Sequence, residues 1–199
     1  MEKDLEFLNR VQELFQLHGA KTLTMDDIAR ELSMSKKTLY EKYKNKEKLL
    51  EAVLSNGVEK VLVRLRDLEG EIDNAIERML LRDDEITQMS SANDSILLRQ
   101  LIKYYPRLFE RHMRAFSEKF TKIIEHNIER GRKQGYYRTD FDAYFYAKFY
   151  FQSIMSYDNS PYIDTSKLTR NEYQREVLIL YMNAIITEKG RDYMNSKLE

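Results

Sequence analysis

Helix-breaking residues are rare in this sequence, which contains only two prolines and six glycines among 199 residues. These residues most often end helices and separate strands, so few turns are available to a fold of many short strands. Apolar residues instead recur three and four positions apart through most of the chain, which is the spacing of an amphipathic helix. We therefore predict an all-α protein of about nine helices.

The composition excludes several classes of protein. Lysine and arginine balance aspartate and glutamate, 33 against 33, so only the distribution of charge can indicate a polyanionic partner. The absence of cysteine rules out disulfides and thiolate metal sites and fits a reducing cytosol. The charged start MEKDLEF is unlike a signal peptide, and no apolar run approaches the ~20 residues of a membrane span. We expect a soluble, cytoplasmic protein.

Two short helices and a tight turn are predicted within the first fifty residues. Thr24, with Asp27 three positions later, is a good N-cap for a helix of about two turns. Ser35 caps a second short helix. The turn between them falls at Ser33, and Ala29 is small enough to let the two helices cross. Together with the helix that precedes them, these elements predict a helix-turn-helix unit.

The second short helix is strongly basic. Between Ser33 and Lys48 there are six lysines and two glutamates, whereas residues 1–50 together carry ten basic and nine acidic residues. The positive charge is therefore concentrated where a helix-turn-helix unit meets DNA, with the second helix in the major groove. A solvated, lysine-rich helix in an ordinary bundle is the alternative, and the turn pattern favours DNA.

The stretch LTMDDIARELSMSKKTLYEKYKNKEKLL resembles the N-terminal DNA-binding domain of the TetR family of bacterial transcription regulators. The resemblance lies in I-A-x-x-L-x-M-S, T-L-Y and Y-K-N-K-E-x-L at the family's spacing. It implies a helix-turn-helix DNA-binding domain over residues 1–46 and a helical effector-binding and dimerisation domain over residues 47–199. It also implies operator contacts at Thr24, Ser35, Lys36, Lys37, Thr38, Tyr40, Lys42 and Lys46.

Some positions depart from the family's pattern or carry an argument of their own. Ser33 stands where glycine is common, so the turn is expected to carry left-handed backbone strain. Glu41 stands where an aromatic or basic residue is usual; it either accepts from a cytosine amino group or points away from DNA. Lys46 begins the fourth helix, whose N-terminus favours an anion, so it is predicted to hold a phosphate beside Lys44. Solvent exposure is the alternative for Lys46.

Two later helices are apolar on most sides. Residues 136–157 hold ten of the 23 aromatic residues, and the last predicted helix contains VLILYMNAII. Such helices are buried on most sides, and two subunits can bury them in a shared four-helix bundle, as the resemblance implies. An aromatic ligand cage in the eighth helix is the alternative. The predicted dimer interface consists of Phe145, Phe149, Gln152, Val177, Leu178, Tyr181 and Ile185.

The resemblance also implies a small effector held among the middle helices. Polar groups set among rings can orient such a ligand, although a lone histidine is more often satisfied by the protein or exposed. If Arg99 faces the cavity, it should meet a carboxylate from the protein or from an acidic ligand. The predicted effector contacts are Arg99, Tyr104, His112, Phe116 and Phe120.

Motifs of catalysis are absent from the sequence. We find no nucleophile elbow, phosphate loop or dinucleotide fingerprint, and no histidine pair with metal-ligand spacing. No enzyme activity, metal or cofactor is therefore expected. The sequence predicts a ligand-responsive, homodimeric transcriptional regulator, most simply a repressor that a small molecule releases from a palindromic operator. The alternative is a helical protein–protein interaction module that keeps the DNA-binding fold without binding an operator.

Overall fold

A computed structural model describes residues 2–89 and 94–198 of the chain, and its regular elements are all α-helices. The all-α prediction is confirmed, with one helix more than expected at the C-terminal end. No helix in the described ranges combines the length and apolarity needed to cross a membrane. The helices are α1 (Glu2–His18), α2 (Met25–Glu31), α3 (Lys36–Lys42), α4 (Lys46–Glu71), α5 (Ala75–Met89), α6 (Asp94–Tyr104), α7 (Pro106–Lys133), α8 (Ala143–Asn159), α9 (Arg170–Ile185) and α10 (Glu188–Leu198).

The chain forms two compact units. The N-terminal unit comprises residues 1–60 and 91–114, and the C-terminal unit comprises residues 61–90 and 115–199. The N-terminal unit extends beyond α3 because apolar residues of α4, α6 and α7 lie in the same core as the first three helices. Members of this core include Val11, Phe15, Ile28, Leu39, Leu49, Leu50, Leu97, Leu101 and Leu108. The functional boundary between residues 46 and 47 stays a prediction.

Side chains at the predicted caps hold the starts of the two short helices. The Asp27 N–H donates to Thr24 Oγ1 at 3.1 Å, and the Thr24 N–H donates to the Asp27 carboxylate at 3.0 Å. At the start of α3, the Thr38 N–H donates to Ser35 Oγ at 3.0 Å. Each bond satisfies a backbone group that has no partner inside its helix. Both helices therefore begin where the sequence predicts.

The C-terminal unit is built around a cluster of aromatic rings. The ring centroid of Phe120 lies 5.7 Å from that of Phe116 and 5.4 Å from that of Phe151. Tyr150 of α8 stacks on Tyr181 of α9 at 4.6 Å. Helix α9 also packs against α5, which in turn contacts α10. Aromatic side chains bury a large apolar area each, so these contacts dominate the packing of this unit.

Helix α10 docks on α5 through polar contacts. The Tyr193 hydroxyl and the Lys197 ammonium both donate to Glu77 Oε1, at 2.7 and 2.6 Å. Gly190 lets the helix approach the preceding chain, because a Cβ there would lie 2.4 Å from the Tyr136 carbonyl oxygen. This helix is not predicted from the sequence, because it carries few apolar residues and is held by these contacts.

A buried ion pair joins the end of α8 to the start of α9. The Arg170 guanidinium lies 2.9 Å from Asp158 Oδ2, and the Asp158 side chain is fully buried. A cation at the first position of a helix opposes the helix dipole. The location of Arg170 is therefore explained by its pairing with Asp158 across the α8–α9 loop.

Candidate nucleic-acid interface

Helices α2 and α3 cross at a tight turn. The Met34 N–H donates to the Ala29 carbonyl at 2.9 Å, and the Leu32 N–H donates to the Ile28 carbonyl at 3.0 Å. Ala29 and Leu39 are both buried at the crossing. The turn is thus fixed by backbone hydrogen bonds and by packing, which holds α3 rigidly on the N-terminal unit.

Ser33 adopts the left-handed conformation that the sequence predicts. Its φ is +53°, and it is the one non-glycine residue with a positive φ in the described ranges. An L-residue in this region brings its Cβ close to the following carbonyl oxygen. Ser33 therefore carries local backbone strain at the turn between α2 and α3.

We expect Ser33→Gly to stabilise the protein by about 0.5–1 kcal/mol. Relief of the left-handed strain contributes roughly 1–2 kcal/mol, and the greater freedom of glycine in the unfolded chain offsets roughly 0.5–1 kcal/mol of it. Ser35→Gly is the matched control, because Ser35 has φ −70° and serves as an N-cap. Urea unfolding followed by circular dichroism checks both variants. A loss of stability in Ser33→Gly would contradict this account.

The predicted operator contacts lie together on the exposed surface around α3. Leu39 faces the core, and the side chains around it on the helix face solvent. Thr24 and Ser35 are exposed at the starts of α2 and α3, where their hydroxyls also act as caps. The exposed residues of α3 among the predicted contacts are Lys36, Lys37, Thr38, Tyr40 and Lys42.

Acidic side chains lie beside the lysines of α3. Lys36 Nζ lies 2.6 Å from Asp26 Oδ2, and Lys42 Nζ pairs with Asp4. Glu41 lies 3.9 Å from Lys37 Nζ on the same helix. Exposed ion pairs of this kind contribute little to stability, so phosphate oxygens could replace the carboxylates. These pairs lower the net positive charge that α3 presents to a polyanion.

Lys46 is half-buried and bound to the backbone before α2. Its ammonium donates to the carbonyl oxygens of Lys21 and Leu23, each at 3.0 Å. An ammonium has three donors, so one remains to face a phosphate. The structure thus adds a second role for Lys46, which is to fix the turn between α1 and α2. Its contact with phosphate stays a prediction.

The predicted effector residues are distributed over the two compact units. Arg99, Tyr104 and His112 belong to the N-terminal unit, whereas Phe116 and Phe120 belong to the C-terminal unit. Arg99 and Tyr104 are exposed, so neither faces an enclosed cavity. The change of unit falls between His112 and Phe116 within α7, and the binding of an effector by these five residues stays a prediction.

His112 is satisfied by the protein, as expected of a lone histidine. Its Nε2 lies 3.1 Å from Ser55 Oγ, and its Nδ1 lies 3.0 Å from the Leu108 carbonyl oxygen. Both ring nitrogens thus have protein partners. Across the described residues, no three histidine, aspartate or glutamate side chains are grouped so as to hold a metal ion.

The predicted dimer residues fall on two different faces. Phe145 and Phe149 are 63% and 58% exposed, Gln152 is exposed, and Val177 is half-buried. The other three predicted interface residues are corrected, because they are buried within their own subunit and have almost no surface left to lose: Leu178, Tyr181 and Ile185.

The apolar residue that the interface prediction missed is Leu180, which is 73% exposed. It follows Val177 by three positions and precedes the exposed Ala184 by four, so these residues share the outer face of α9. Helix α9 packs against α8, and we call the apolar residues of these two helices that keep exposed surface, Phe145, Phe149, Val177 and Leu180, the outer apolar face. The i, i+3, i+7 spacing that begins at Val177 could have indicated this face from the sequence. It does not, because apolar residues lie on nearly every side of α9.

Sequence reasoning also missed two arginines of α5 that are fully buried in the C-terminal unit. Arg78 and Arg82 have no exposed surface, although arginine is rarely buried completely. They follow the buried Ala75 by three and seven positions, with Met79 between them, so all four share the inner face of α5. That spacing could have indicated the burial of both arginines from the sequence.

Comparison with known proteins agrees with this geometry. Residues 11–53 match the family model of bacterial regulatory proteins, tetR family, and no curated protein matches the sequence. A transcriptional regulator from Cytophaga hutchinsonii is similar at 18% identity and a TM-score of 0.76, over 94% of this chain and 100% of that one. A TetR transcription regulator from Haloarcula marismortui is similar at 19% identity and a TM-score of 0.71, over 94% of this chain and 100% of that one. The reduced form of NemR from E. coli is similar at 16% identity and a TM-score of 0.72, over 91% and 96%.

The resemblance that the helix-turn-helix residues carry is thereby confirmed. The family match covers the helix-turn-helix residues and the start of α4, and the likeness of fold extends over both compact units. Residues 11–53 thus match the tetR family, and the chain has, over nearly its whole length, the fold of solved transcriptional regulators.

Proposed function

We propose that the protein regulates transcription by binding a roughly palindromic operator as a homodimer, most simply as a repressor that a small-molecule effector releases. The observation that carries the proposal is the exposed face of α3, which presents lysines and a threonine hydroxyl directly after the turn at Ser33. Lysine binds phosphate oxygens and guanine edges, and threonine reaches several base edges in the major groove.

The outer apolar face supports the homodimer. Phe145, Phe149 and Leu180 are large apolar side chains that are each more than half exposed, and an apolar patch of this kind marks an interaction surface. Two copies related by a two-fold axis would bury the same face on both sides. The two α3 helices would then read half-sites about 34 Å apart in successive major grooves.

An effector would act by favouring a dimer in which this spacing no longer matches the DNA. It must bind the DNA-free form more tightly than the DNA-bound form, because equal affinity for both shifts nothing. We place effector binding in the C-terminal unit, whose aromatic cluster and buried polar groups have the character of a ligand site.

Operator binding is tested with a pool of random duplexes and with the DNA that flanks the protein's own gene, by selection and fluorescence anisotropy at several salt concentrations. We expect Lys46→Ala to weaken binding to all sequences about equally and to lower the salt slope by roughly one unit. Lys37→Ala and Thr38→Ala should instead change the preferred sequence, because these side chains face base edges in the proposed complex.

Lys133→Ala is the matched control, since Lys133 is an exposed lysine of the C-terminal unit. It should leave the salt slope of DNA binding and the preferred sequence unchanged. Circular dichroism must show that Lys46→Ala is folded, because Lys46 also holds the turn before α2. If no duplex binds in a salt-dependent, saturable manner, the proposal is wrong and the alternative of a protein–protein interaction module gains support. A changed sequence preference in Lys46→Ala would refute its assignment to phosphate.

A further inference from the structure

Arg82 is a fully buried arginine whose donors are mostly unused. It lies on α5 in the C-terminal unit, with no exposed surface. Its Nη1 donates to Met79 Sδ at 2.8 Å, which is a weak acceptor. Its Nε and Nη2 atoms have no hydrogen-bond partner among the described residues. Burial of a cation without an anionic partner is strongly unfavourable. The guanidinium therefore lacks a counterion, and an anion that reached it would supply one.

Arg78 shows how the same helix satisfies most of a buried guanidinium when its role is structural; of its three nitrogens only Nη1 has no partner among the described residues. It lies one turn before Arg82 and is equally buried. Its Nε donates to the Ile72 carbonyl oxygen at 3.0 Å, and its Nη2 donates to the carbonyl oxygens of Ile72 and Glu69 at 2.5 and 3.1 Å. Arg78 thus closes the end of α4, whereas Arg82 has no comparable set of acceptors.

Phenol groups lie near Arg82. Burial lowers the pKa of Arg82, and the ionisable groups that oppose this shift are Tyr150, Tyr137 and Glu69; Glu69 also contacts His126 Nδ1 at 3.3 Å. The Tyr137 hydroxyl is already used, since it donates to the Ala75 carbonyl oxygen at 2.9 Å. No described carboxylate forms an ion pair with Arg82. Its surroundings are therefore aromatic, with a positive centre.

Tyr181 adds a second unused donor to the same region. Its ring stacks on Tyr150 at 4.6 Å, and its buried hydroxyl has no hydrogen-bond partner among the described residues. Burial raises the pKa of Tyr181 well above its usual value, and the charge of Arg82 only partly opposes this rise. The hydroxyl therefore stays protonated and is available as a donor. Arg82 and Tyr181 together provide an unpaired cation and an unpaired O–H in one buried aromatic environment.

We propose that Arg82 anchors the carboxylate of an organic acid in the C-terminal unit, with Tyr181 as a second donor, and that this acid is the effector. The proposal rests on the proposed regulatory function only in calling the acid an effector. A planar carboxylate accepts two parallel hydrogen bonds from a guanidinium through Nε and Nη2, the two donors that are unused. The aromatic cluster of Phe120, Tyr150 and Tyr181 would cover an apolar body.

The chemistry favours a monocarboxylic acid over inorganic phosphate. Phosphate carries up to two charges at neutral pH and has no apolar part, so it would leave one charge unbalanced and the surrounding rings uncovered. Because Arg82 is fully buried, the acid can reach it only if side chains of the C-terminal unit move apart. Binding is thus expected to change the packing of this unit, which gives the acid a different affinity for the two forms of the protein.

The test uses the full-length protein without DNA and two carboxylates, 4-phenylbutyrate and decanoate, each compared with its neutral primary amide and with inorganic phosphate. Differential scanning calorimetry and isothermal titration measure binding. We expect at least one carboxylate to raise the melting temperature by roughly 5–10 °C at about 100 times its Kd. The amides and phosphate should have little effect. If neither carboxylate binds better than its amide, the proposal is wrong.

Variants locate the site. Arg82→Met should melt at or above the wild-type temperature without acid, because it removes an unpaired buried charge, and should weaken carboxylate binding roughly 10- to 100-fold. Tyr181→Phe keeps the stack on Tyr150 and should weaken binding by a smaller factor without loss of stability. Arg78→Met is the matched control: it should melt several degrees lower, since carbonyl groups lose their donors, and keep its response to acid.

Two results with the variants would overturn the proposal. One is Arg82→Met binding the carboxylates as tightly as the wild type. The other is Arg82→Met losing as much stability as Arg78→Met, since this would mean that Arg82 is already satisfied within the protein. Neither measurement involves DNA, so failure here leaves operator binding to its own test. Conversely, loss of operator binding in the experiments described above leaves the carboxylate site unaffected.

Discussion

Phe149→Glu or Leu180→Glu is expected to convert the proposed dimer to a monomer and to remove the proposed high-affinity operator binding. Both side chains lie on the outer apolar face, at 58% and 73% exposure. In a two-fold interface each substitution occurs twice. Each copy loses about 2–3 kcal/mol of apolar burial, and the carboxylate must also be desolvated. The dissociation constant of the dimer should therefore rise at least roughly 10⁴-fold.

Sedimentation velocity over a range of protein concentrations measures this change, and anisotropy with the selected duplex measures its effect on DNA binding. Leu17→Glu is the matched control. Leu17 is also an exposed leucine, at 68%, but it lies on α1 in the N-terminal unit, and its substitution should leave the dimer intact. A wild-type protein that sediments as a monomer at micromolar concentration would refute the dimer, as would a Leu180→Glu variant that dimerises normally.

Asp158→Ala is expected to reduce the free energy of unfolding by about 3–5 kcal/mol. The variant leaves Arg170, which is largely buried, without its anionic partner at the start of α9. Removing one member of a buried ion pair costs this much because the remaining charge stays desolvated. The dipole of α9 adds to the penalty, since it disfavours a cation at the first position. Chemical unfolding monitored by circular dichroism measures the loss.

Asp140→Ala provides the control for the loss of an aspartate from an ion pair. Asp140 lies 3.5 Å from Arg138, and both side chains are exposed, so little change is expected. The buried pair would have to be reinterpreted as energetically neutral if the two variants unfolded at the same denaturant concentration. The comparison thus separates the effect of burial from the effect of charge.

The helix-turn-helix half of the fold could be predicted because its signals are local. Thr24 and Ser35 are caps whose partners lie three residues away, and the strain at Ser33 follows from the shortness of the turn. Such features depend on neighbouring residues in the chain rather than on tertiary contacts. The sequence of residues 24–43 therefore defines both the geometry of the turn and the face of α3 that remains exposed.

The C-terminal half could be predicted only as far as most of its helices, since α10 was not expected. In α9 nearly every side of the helix is apolar, so the periodicity does not distinguish Tyr181, which stacks inside the subunit, from Leu180, which faces outward. The partner helices decide this choice, and they are distant in the sequence. The burial of Arg82 was not predicted, because a charged residue is normally expected to be exposed even where the helix periodicity places it on the inner face.

The ion pairs on α3 bear on how the protein would search a genome. Lys36 and Lys42 must leave Asp26 and Asp4 before they reach phosphates, so fewer counterions are released on random DNA than the lysine count implies. The balanced charge of the whole chain also adds no long-range attraction. We expect short residence times on the roughly 10⁶–10⁹ competing genomic sites. A larger fraction of the molecules would then be free of non-specific DNA and available to the proposed operator.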